Sequence, residues 1–237
     1  MPRPAAITAK IITFGKKSTE LMNTTEKYVI TISRELGSGG RTVGRKLAQA
    51  LNVRYSDKEL VHQLMGRFNL SVSGIEKLKG EKHSWISEFI QLVAPMPKMS
   101  MMVGSDSQKH MTEFRPDLSS ADIFAAESDI LKAIAEEGSC VIAGRSGFFV
   151  LKDCPNKLDV FITASREHRI ERVAEKQGLT PEQAAHLIDK IDAERDNYIR
   201  KFAGVSRYDL RNYQLVINMD NLSEDDAVAL ILKYIGK

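Results

Sequence analysis

Five short apolar runs rich in β-branched and aromatic residues constrain the fold of this chain more than any other feature. They are Tyr28–Ile32, Val53–Tyr55, Cys140–Ala143, Leu158–Thr163 and Gln214–Asn218. None alternates cleanly between apolar and polar residues, which is typical of strands buried on both faces, as in a parallel sheet covered by helices. Helical patterns separate most of these runs. The order of elements therefore predicts an α/β fold with a five-stranded parallel sheet flanked by helices.

Several helix boundaries can be read from capping residues. Thr180-Pro181-Glu182-Gln183 is a capping box with proline at the first helical position. Ser165 and Ser223 are expected to cap two further helices. An apolar stripe that begins near Ser120 ends at Gly138, and another follows Val43.

Length and composition indicate one α/β domain with insertions, or at most two domains. The 237 residues are 43% hydrophobic, and the formal net charge of +3 is too small to indicate a nucleic-acid-binding protein. No apolar run is long enough to span a membrane. Two cysteines make no disulfide framework, so a cytoplasmic location is expected, with Cys140 as a buried thiol.

Domain boundaries follow from the same patterns. We expect residues 1–26 to form a disordered N-terminal extension, with Met22 as an alternative start, and residues 27–237 to form the domain. Residues 57–118 interrupt the alternation of strands and helices. They are interpreted as an insertion between the second and third strands, with a methionine-rich stretch at Met96–Gly104.

A glycine-rich turn between the first strand and the first helix is the strongest functional signal. Its amides and the positive end of the following helix are suited to binding phosphate. A P-loop ends in Gly-Lys-Ser/Thr, and here Arg41 stands at the lysine position while Glu35 replaces the first glycine. Thr42 is expected to place its hydroxyl on Mg²⁺. The predicted phosphate-binding residues are Gly37, Ser38, Gly39, Gly40, Arg41 and Thr42.

The glycine-rich turn has two alternative interpretations. A Rossmann pattern starting at Gly37 requires a third glycine where Thr42 stands, so that pattern fails. A turn that merely connects strand to helix remains open, because motif matches alone have false positives.

The motifs together resemble the cytidylate kinase-like family, a divergent branch of the P-loop nucleoside-monophosphate kinases. The resemblance extends from about Lys27 to the C-terminus and is carried by Ile32–Arg41, Tyr55–Leu60, Cys140–Arg145, the arginines that follow, and Asn212–Asn218. It implies a P-loop kinase fold with a monophosphate-binding insertion and a helical lid over residues 165–203. It also implies transfer of the γ-phosphoryl group of ATP to CMP, dCMP or a similar acceptor, with Mg²⁺.

Two positions depart from the pattern of bacterial cytidylate kinases. In those proteins aspartates flank the motif that resembles Gly144-Arg145, whereas here the flanking residues are Ala143 and Ser146. The following aspartate helps to recognise cytosine in that family, so the departure leaves the acceptor open. The preceding one lies on the metal side, so Mg²⁺ is expected to depend on Thr42, on ATP oxygens and on Asp57.

Arginines supply the charge neutralisation that phosphoryl transfer requires. Arg195 interrupts an apolar helical stripe, so it must either face a cleft or pair with Asp192. Arg145 follows a strand at the sheet edge where α/β proteins bind ligands. The predicted catalytic residues are Arg41, Asp57, Arg145, Arg169, Arg172 and Arg195.

Individual roles follow from position. Asp57 ends the second strand and is expected to orient the acceptor or to cap the next helix, and Asn218 is expected to approach the donor base. A kinase of another small metabolite, and a nucleotide-binding protein without turnover, remain the alternatives. The expected partners are small-molecule nucleotides, with no nucleic acid and no membrane, and the oligomeric state is open.

Overall fold

The computed structural model describes residues 22–57 and 120–237. Its strands are β1 (Val29–Arg34), β2 (Arg54–Ser56), β3 (Cys140–Ala143), β4 (Lys157–Thr163) and β5 (Leu215–Asn218). Its helices are α1 (Gly40–Leu51), α2 (Ser120–Glu137), α3 (Gly147–Val150), α4 (Arg166–Gln177), α5 (Pro181–Ala203) and α6 (Glu224–Tyr234), with a 3₁₀ turn at Leu210–Asn212.

The five strands form one parallel sheet in the order β2-β3-β1-β4-β5, which confirms the predicted fold class. The first strand extends two residues beyond the expected Ile32, because Ser33 and Arg34 continue the ladder with β4. This extension places Arg34 at the carboxyl edge of the central strand. In such sheets the carboxyl edge is where ligands bind.

Both faces of the sheet are covered, as the lack of alternation in the strands predicts. On one face Ile30 and Ile32 pack with residues of α1 and α6, including Val43, Leu47 and Ile231. On the opposite face the core is formed by Phe148, Phe161, Ile199 and Tyr213. A third cluster joins Leu36 of the glycine-rich turn to α4 and α5. The turn is therefore anchored to the two helices in the predicted lid range, 165–203.

The predicted caps are present. The Thr180 capping box begins α5, the Ser165 side chain accepts from the N–H of His168, and Ser223 forms a second capping box at α6. Cys140 is buried, as expected, and burial raises the pKa of its thiol to about 11.

Met22 and Asn23, near the end of the extension expected at residues 1–26, already contact the domain. The Asn23 N–H donates to Asn156 Oδ1 at 3.1 Å, and Asn156 Nδ2 donates back to the Asn23 carbonyl at 2.7 Å. Met22 packs against the main core. Residues 1–21 and nearly all of the predicted insertion at 57–118 lie outside the described residues. Within the described ranges, no helix combines the length and apolar character needed to cross a membrane.

Candidate active site

The glycine-rich turn between β1 and α1 presents free amides to the carboxyl edge of the sheet. Gly37 and Gly39 have φ angles of +85° and +78°, and Gly39 is the N-cap of α1. Among residues 22–57 and 120–237, the N–H groups of Gly37, Gly39 and Gly40 make no hydrogen bond within the protein. Backbone amides before a helix N-terminus form a site suited to an anion.

Close packing explains why glycine is required in this turn. A Cβ on Gly37 would lie 2.7 Å from the carbonyl oxygen of Arg169, and one on Gly40 would lie 2.6 Å from Cβ of Arg34. Ser38 is buried, and its Oγ donates to the Glu35 carbonyl at 2.9 Å, which closes the turn internally.

A cavity of about 230 Å³ lies in front of this turn. Besides the turn itself, cations from α1, α4 and α5 surround it. Its lining residues include Arg34, Gly37, Gly39, Gly40, Arg41, Thr42, Arg45, Arg172, Lys176 and Arg195. We call this the first cavity. Free amides and an excess of cationic side chains suit it to a polyphosphate.

Arg41 lines the first cavity and is paired with Asp57. Nε of Arg41 lies 2.5 Å from Oδ2 of Asp57, and both side chains are largely buried. The Tyr55 hydroxyl lies 3.2 Å from the same Asp57 oxygen. Burial, reinforced by Asp57, raises the pKa of Tyr55, so this phenol stays protonated and donates to the carboxylate.

A buried carboxylate, Asp192 of α5, ties the turn to the helices behind it. The Leu36 N–H donates to Oδ1 and Oδ2 of Asp192 at 3.1 and 3.3 Å. Arg169 Nη1 donates to Oδ2 at 2.7 Å, and Arg195 Nη1 donates to Oδ1 at 3.1 Å. Both arginine side chains are about 10% exposed. Asp192 therefore pairs with two buried arginines and fixes the turn.

A second cavity of about 50 Å³ adjoins the first, and Arg34 and Arg195 line both. Its walls come from the carboxyl ends of β1, β2 and β3 and from α5. The lining residues are Ser33, Arg34, Asp57, Ala143, Gly144, Arg145, Ser146, Arg195, Tyr198, Ile199 and Arg207. Four arginines and one carboxylate make this second cavity strongly cationic, which favours an anionic ligand.

The backbone is strained where β3 enters the second cavity. Gly144, Arg145 and Ser146 have φ angles of +83°, +58° and +57°. Left-handed conformations at two successive non-glycine residues cost free energy and are found mostly at functional sites. The conformation brings Arg145 to Glu127 of α2, with Nη1 and Oε1 2.8 Å apart, and the Tyr198 hydroxyl lies 2.6 Å from the other carboxylate oxygen.

The structure brings most of the predicted site residues together. Arg172, Arg195 and all the predicted turn residues except Ser38 line the first cavity, and Asp57, Arg145 and Arg195 line the second. Ser38 is buried inside the turn, where its hydroxyl donates to the Glu35 carbonyl. Arg169 instead lies behind the turn, paired with Asp192. Asn218 lines neither cavity formed by the described residues; it is exposed at the end of β5, where its Oδ1 accepts from the Asp220 N–H at 2.9 Å. Arg195 was expected either to face a cleft or to pair with Asp192, and it does both: it pairs with Asp192 and lines the two cavities.

Sequence reasoning missed two arginines that line the cavities, Arg34 and Arg207. It also gave no catalytic role to Glu127 and Asp192, the carboxylates that pair with Arg145, Arg169 and Arg195. Glu127 could have been found, since it interrupts an apolar helical stripe just as Arg195 does. Asp192 was visible only as a possible partner of Arg195. Arg34 lies inside the turn motif, and Arg207 follows α5 with no pattern around it, so neither has a sequence signal of its own.

The donor set for a metal is sparse. In the described part of the chain, no three His, Cys, Asp or Glu side chains are grouped so that they could hold a metal ion. Thr42 lines the first cavity, and Asp57 lines the second. These residues fit a Mg²⁺ ion that is held mainly by phosphate oxygens of a bound nucleotide, which is how Mg²⁺ is commonly bound.

The chain is similar in sequence to two proteins named cytidylate kinase. The cytidylate kinase of Pyrococcus horikoshii is 25% identical over 207 residues, which cover 87% of each chain. The cytidylate kinase of Sulfurisphaera tokodaii is 25% identical over 212 residues, covering 88% of this chain and 95% of the relative.

Solved structures share the fold. An uncharacterized protein from Eubacterium ventriosum superposes with a TM-score of 0.60 at 25% identity, covering 88% of this chain and 98% of that one. Shikimate kinase from Bacteroides thetaiotaomicron superposes with a TM-score of 0.50 at 15% identity, covering 89% and 99%. That second likeness concerns the fold alone. The model of the cytidylate kinase-like family matches residues 29–221, and this chain therefore belongs to the cytidylate kinase-like family.

Proposed function

We propose that this protein is an ATP-dependent phosphotransferase that moves the γ-phosphoryl group of ATP to CMP, dCMP or a similar nucleoside monophosphate. The observation that carries the proposal is the pair of adjoining cationic cavities, which share Arg34 and Arg195. One is lined by free amides suited to a polyphosphate, and the other by arginines suited to a phosphomonoester. Family membership supports the same chemistry.

The donor binds in the first cavity under this proposal. Amides of Gly37, Gly39 and Gly40 hold the β- and γ-phosphates, and Arg41 and Arg172 add positive charge from two sides. Thr42 would hold Mg²⁺, which would supply further charge neutralisation. Asp57 fixes Arg41 beside the turn. Arg169 supports the turn from behind through Asp192.

The acceptor phosphate binds in the second cavity, held by Arg145 and Arg195. Arg145 is held in place by Glu127, which in turn accepts from Tyr198. This arrangement lowers the entropic cost of ordering the Arg145 side chain when the acceptor binds. An acceptor oxygen then attacks the γ-phosphorus, and the bond to the bridging oxygen of ADP breaks. The protein contributes mainly position and charge, as is usual for phosphoryl transfer.

A different small-molecule acceptor is the second candidate. It is favoured by Ser146, a buried hydroxyl in the second cavity at the position where bacterial cytidylate kinases are expected to carry the cytosine-binding aspartate. A panel of nucleoside monophosphates, sugars and other hydroxylated metabolites, with ADP formation as the readout, separates the two. Rapid turnover of CMP supports the first candidate. Turnover restricted to an acceptor without a nucleobase supports the second.

We expect Arg41→Ala to lower ATP-dependent turnover by about 10²–10³-fold, the usual effect of losing one charge-stabilising donor. The change also leaves Asp57 in the second cavity without its cationic partner, so this carboxylate would repel an acceptor phosphate. Steady-state kinetics at saturating ATP measure the loss. Arg166→Ala is the matched control, since Arg166 is an exposed arginine of α4 paired with Asp189. Unchanged turnover in Arg41→Ala would refute the assignment of this site.

A further inference from the structure

Arg34 occupies the boundary between the two cavities, and the mechanism above gives it no task. It is the last residue of the central strand β1 and lines both cavities. Its carbonyl oxygen accepts hydrogen bonds from Arg195 Nη1 at 3.4 Å and from Arg207. Its backbone is therefore fixed by two other arginines of the site.

Two glycines make room for the Arg34 side chain. A Cβ on Gly40, at the start of α1, would lie 2.6 Å from Cβ of Arg34, and one on Gly144 would lie 1.9 Å from Nη1. The side chain thus leaves β1 beside the donor turn, and its guanidinium lies against the backbone of the strained segment after β3. It extends from the proposed donor site to the proposed acceptor site.

The electrostatic surroundings of Arg34 favour an added anion. Burial lowers the pKa of Arg34; the negative charge of Asp57 opposes this effect, and the cations Arg207 and Arg145 add to it. Burial likewise lowers the pKa of Arg195 to about 9, against the attraction of Asp192, with Arg34 and Arg207 adding to the decrease. Cations held this close repel one another, so negative charge between them is stabilised strongly.

We propose that Arg34 is a catalytic residue whose guanidinium contacts the phosphoryl group during its transfer from the first cavity to the second. The inference rests on the proposed function. In the reaction the γ-phosphorus loses its bond to the bridging oxygen and gains one to an oxygen of the acceptor, while ADP departs with the bonding pair. Arg34 stays protonated throughout. Its planar, forked donor set can contact oxygens on both sides of the moving group, which one lysine ammonium cannot do.

The test compares wild type, Arg34→Gln and Arg34→Lys, with the acceptor that the panel identifies. We expect kcat to fall by about 10²–10³-fold in Arg34→Gln and by a smaller factor in Arg34→Lys. Affinity for a non-hydrolysable ATP analogue should stay close to that of wild type. Affinity for ADP with aluminium fluoride in the presence of acceptor, which imitates the transferring phosphoryl group, should fall along with kcat.

Arg211→Gln is the control, because Arg211 is exposed and pairs with Asp209 outside both cavities. A kcat in both Arg34 variants equal to that of wild type overturns the inference while leaving the proposed function intact. An equal loss of ATP-analogue affinity and kcat also overturns it, since Arg34 would then act in binding alone. Absence of turnover by wild type with every acceptor overturns the proposed function and this inference together.

Discussion

Replacing Asp192 with alanine is expected to lower the free energy of unfolding by about 3–5 kcal/mol, the usual cost of removing one partner from a buried ion pair. The carboxylate accepts from the Leu36 amide, from Arg169 and from Arg195. Without it, two buried guanidinium groups lose their common anion and the turn loses its anchor to α5. Urea unfolding followed by circular dichroism measures the change.

The same helix provides the control for Asp192. Asp189 lies one turn earlier and also pairs with an arginine, Arg166, but its side chain is 58% exposed. Solvent-exposed pairs contribute about 0–1 kcal/mol, so Asp189→Ala should unfold almost like wild type. Asp192→Ala should also weaken binding of an ATP analogue, because the amide of Leu36 no longer holds the turn. If the two variants lose equal stability, the role given to the buried network is wrong.

Replacing Gly37 with alanine should lower the stability and impair the donor site at the same time. The φ angle of +85° costs an alanine about 1–2 kcal/mol, and crowding of a packed site adds about 1–3 kcal/mol. The crowding is severe because the new Cβ would lie 2.7 Å from a backbone oxygen of Arg169, which cannot rotate away. The turn must shift, and its amides shift with it. Calorimetric titration with an ATP analogue should show a clear loss of affinity.

Gly178→Ala separates backbone strain from crowding. Gly178 ends α4 with a φ angle of +65°, but a Cβ there would have no atom within 4 Å. Alanine at this position should therefore cost only the strain, about 1–2 kcal/mol, and should leave nucleotide affinity unchanged. Equal nucleotide affinities for the two alanine variants would contradict the view that the Gly37 amide belongs to the phosphate site.

Helices and strands were predictable because their signals are local. The five strand segments lack alternation, since both faces of the sheet are covered, and the predicted runs match the observed strands to within two residues at each end. The capping box at Thr180 and the serine caps at Ser165 and Ser223 begin helices where expected. A capping hydrogen bond joins residues three positions apart, so both partners can be recognised within a short stretch of sequence.

The phosphate-binding turn could also be predicted from the sequence, because its function depends on backbone groups of consecutive residues. Identifying Gly37, Gly39 and Gly40 as candidates for phosphate binding required no knowledge of contacts with residues elsewhere in the chain. The position of these glycines along the chain follows from the motif, and the parallel sheet places their amides at its carboxyl edge, in front of the first cavity.

Contacts between charged residues that are far apart in the sequence became visible only in the three-dimensional structure. Arg169 and Arg172 lie three residues apart on α4, a spacing that places them on the same side of the helix. Arg169 nevertheless lies behind the phosphate-binding turn and pairs with Asp192, while Arg172 lines the first cavity. Arg34 and Arg207 are 173 positions apart and meet at one carbonyl oxygen. Periodicity reports which face of an element is buried. It does not report which charge from elsewhere in the chain lies opposite, because only the packing of the elements brings those charges together.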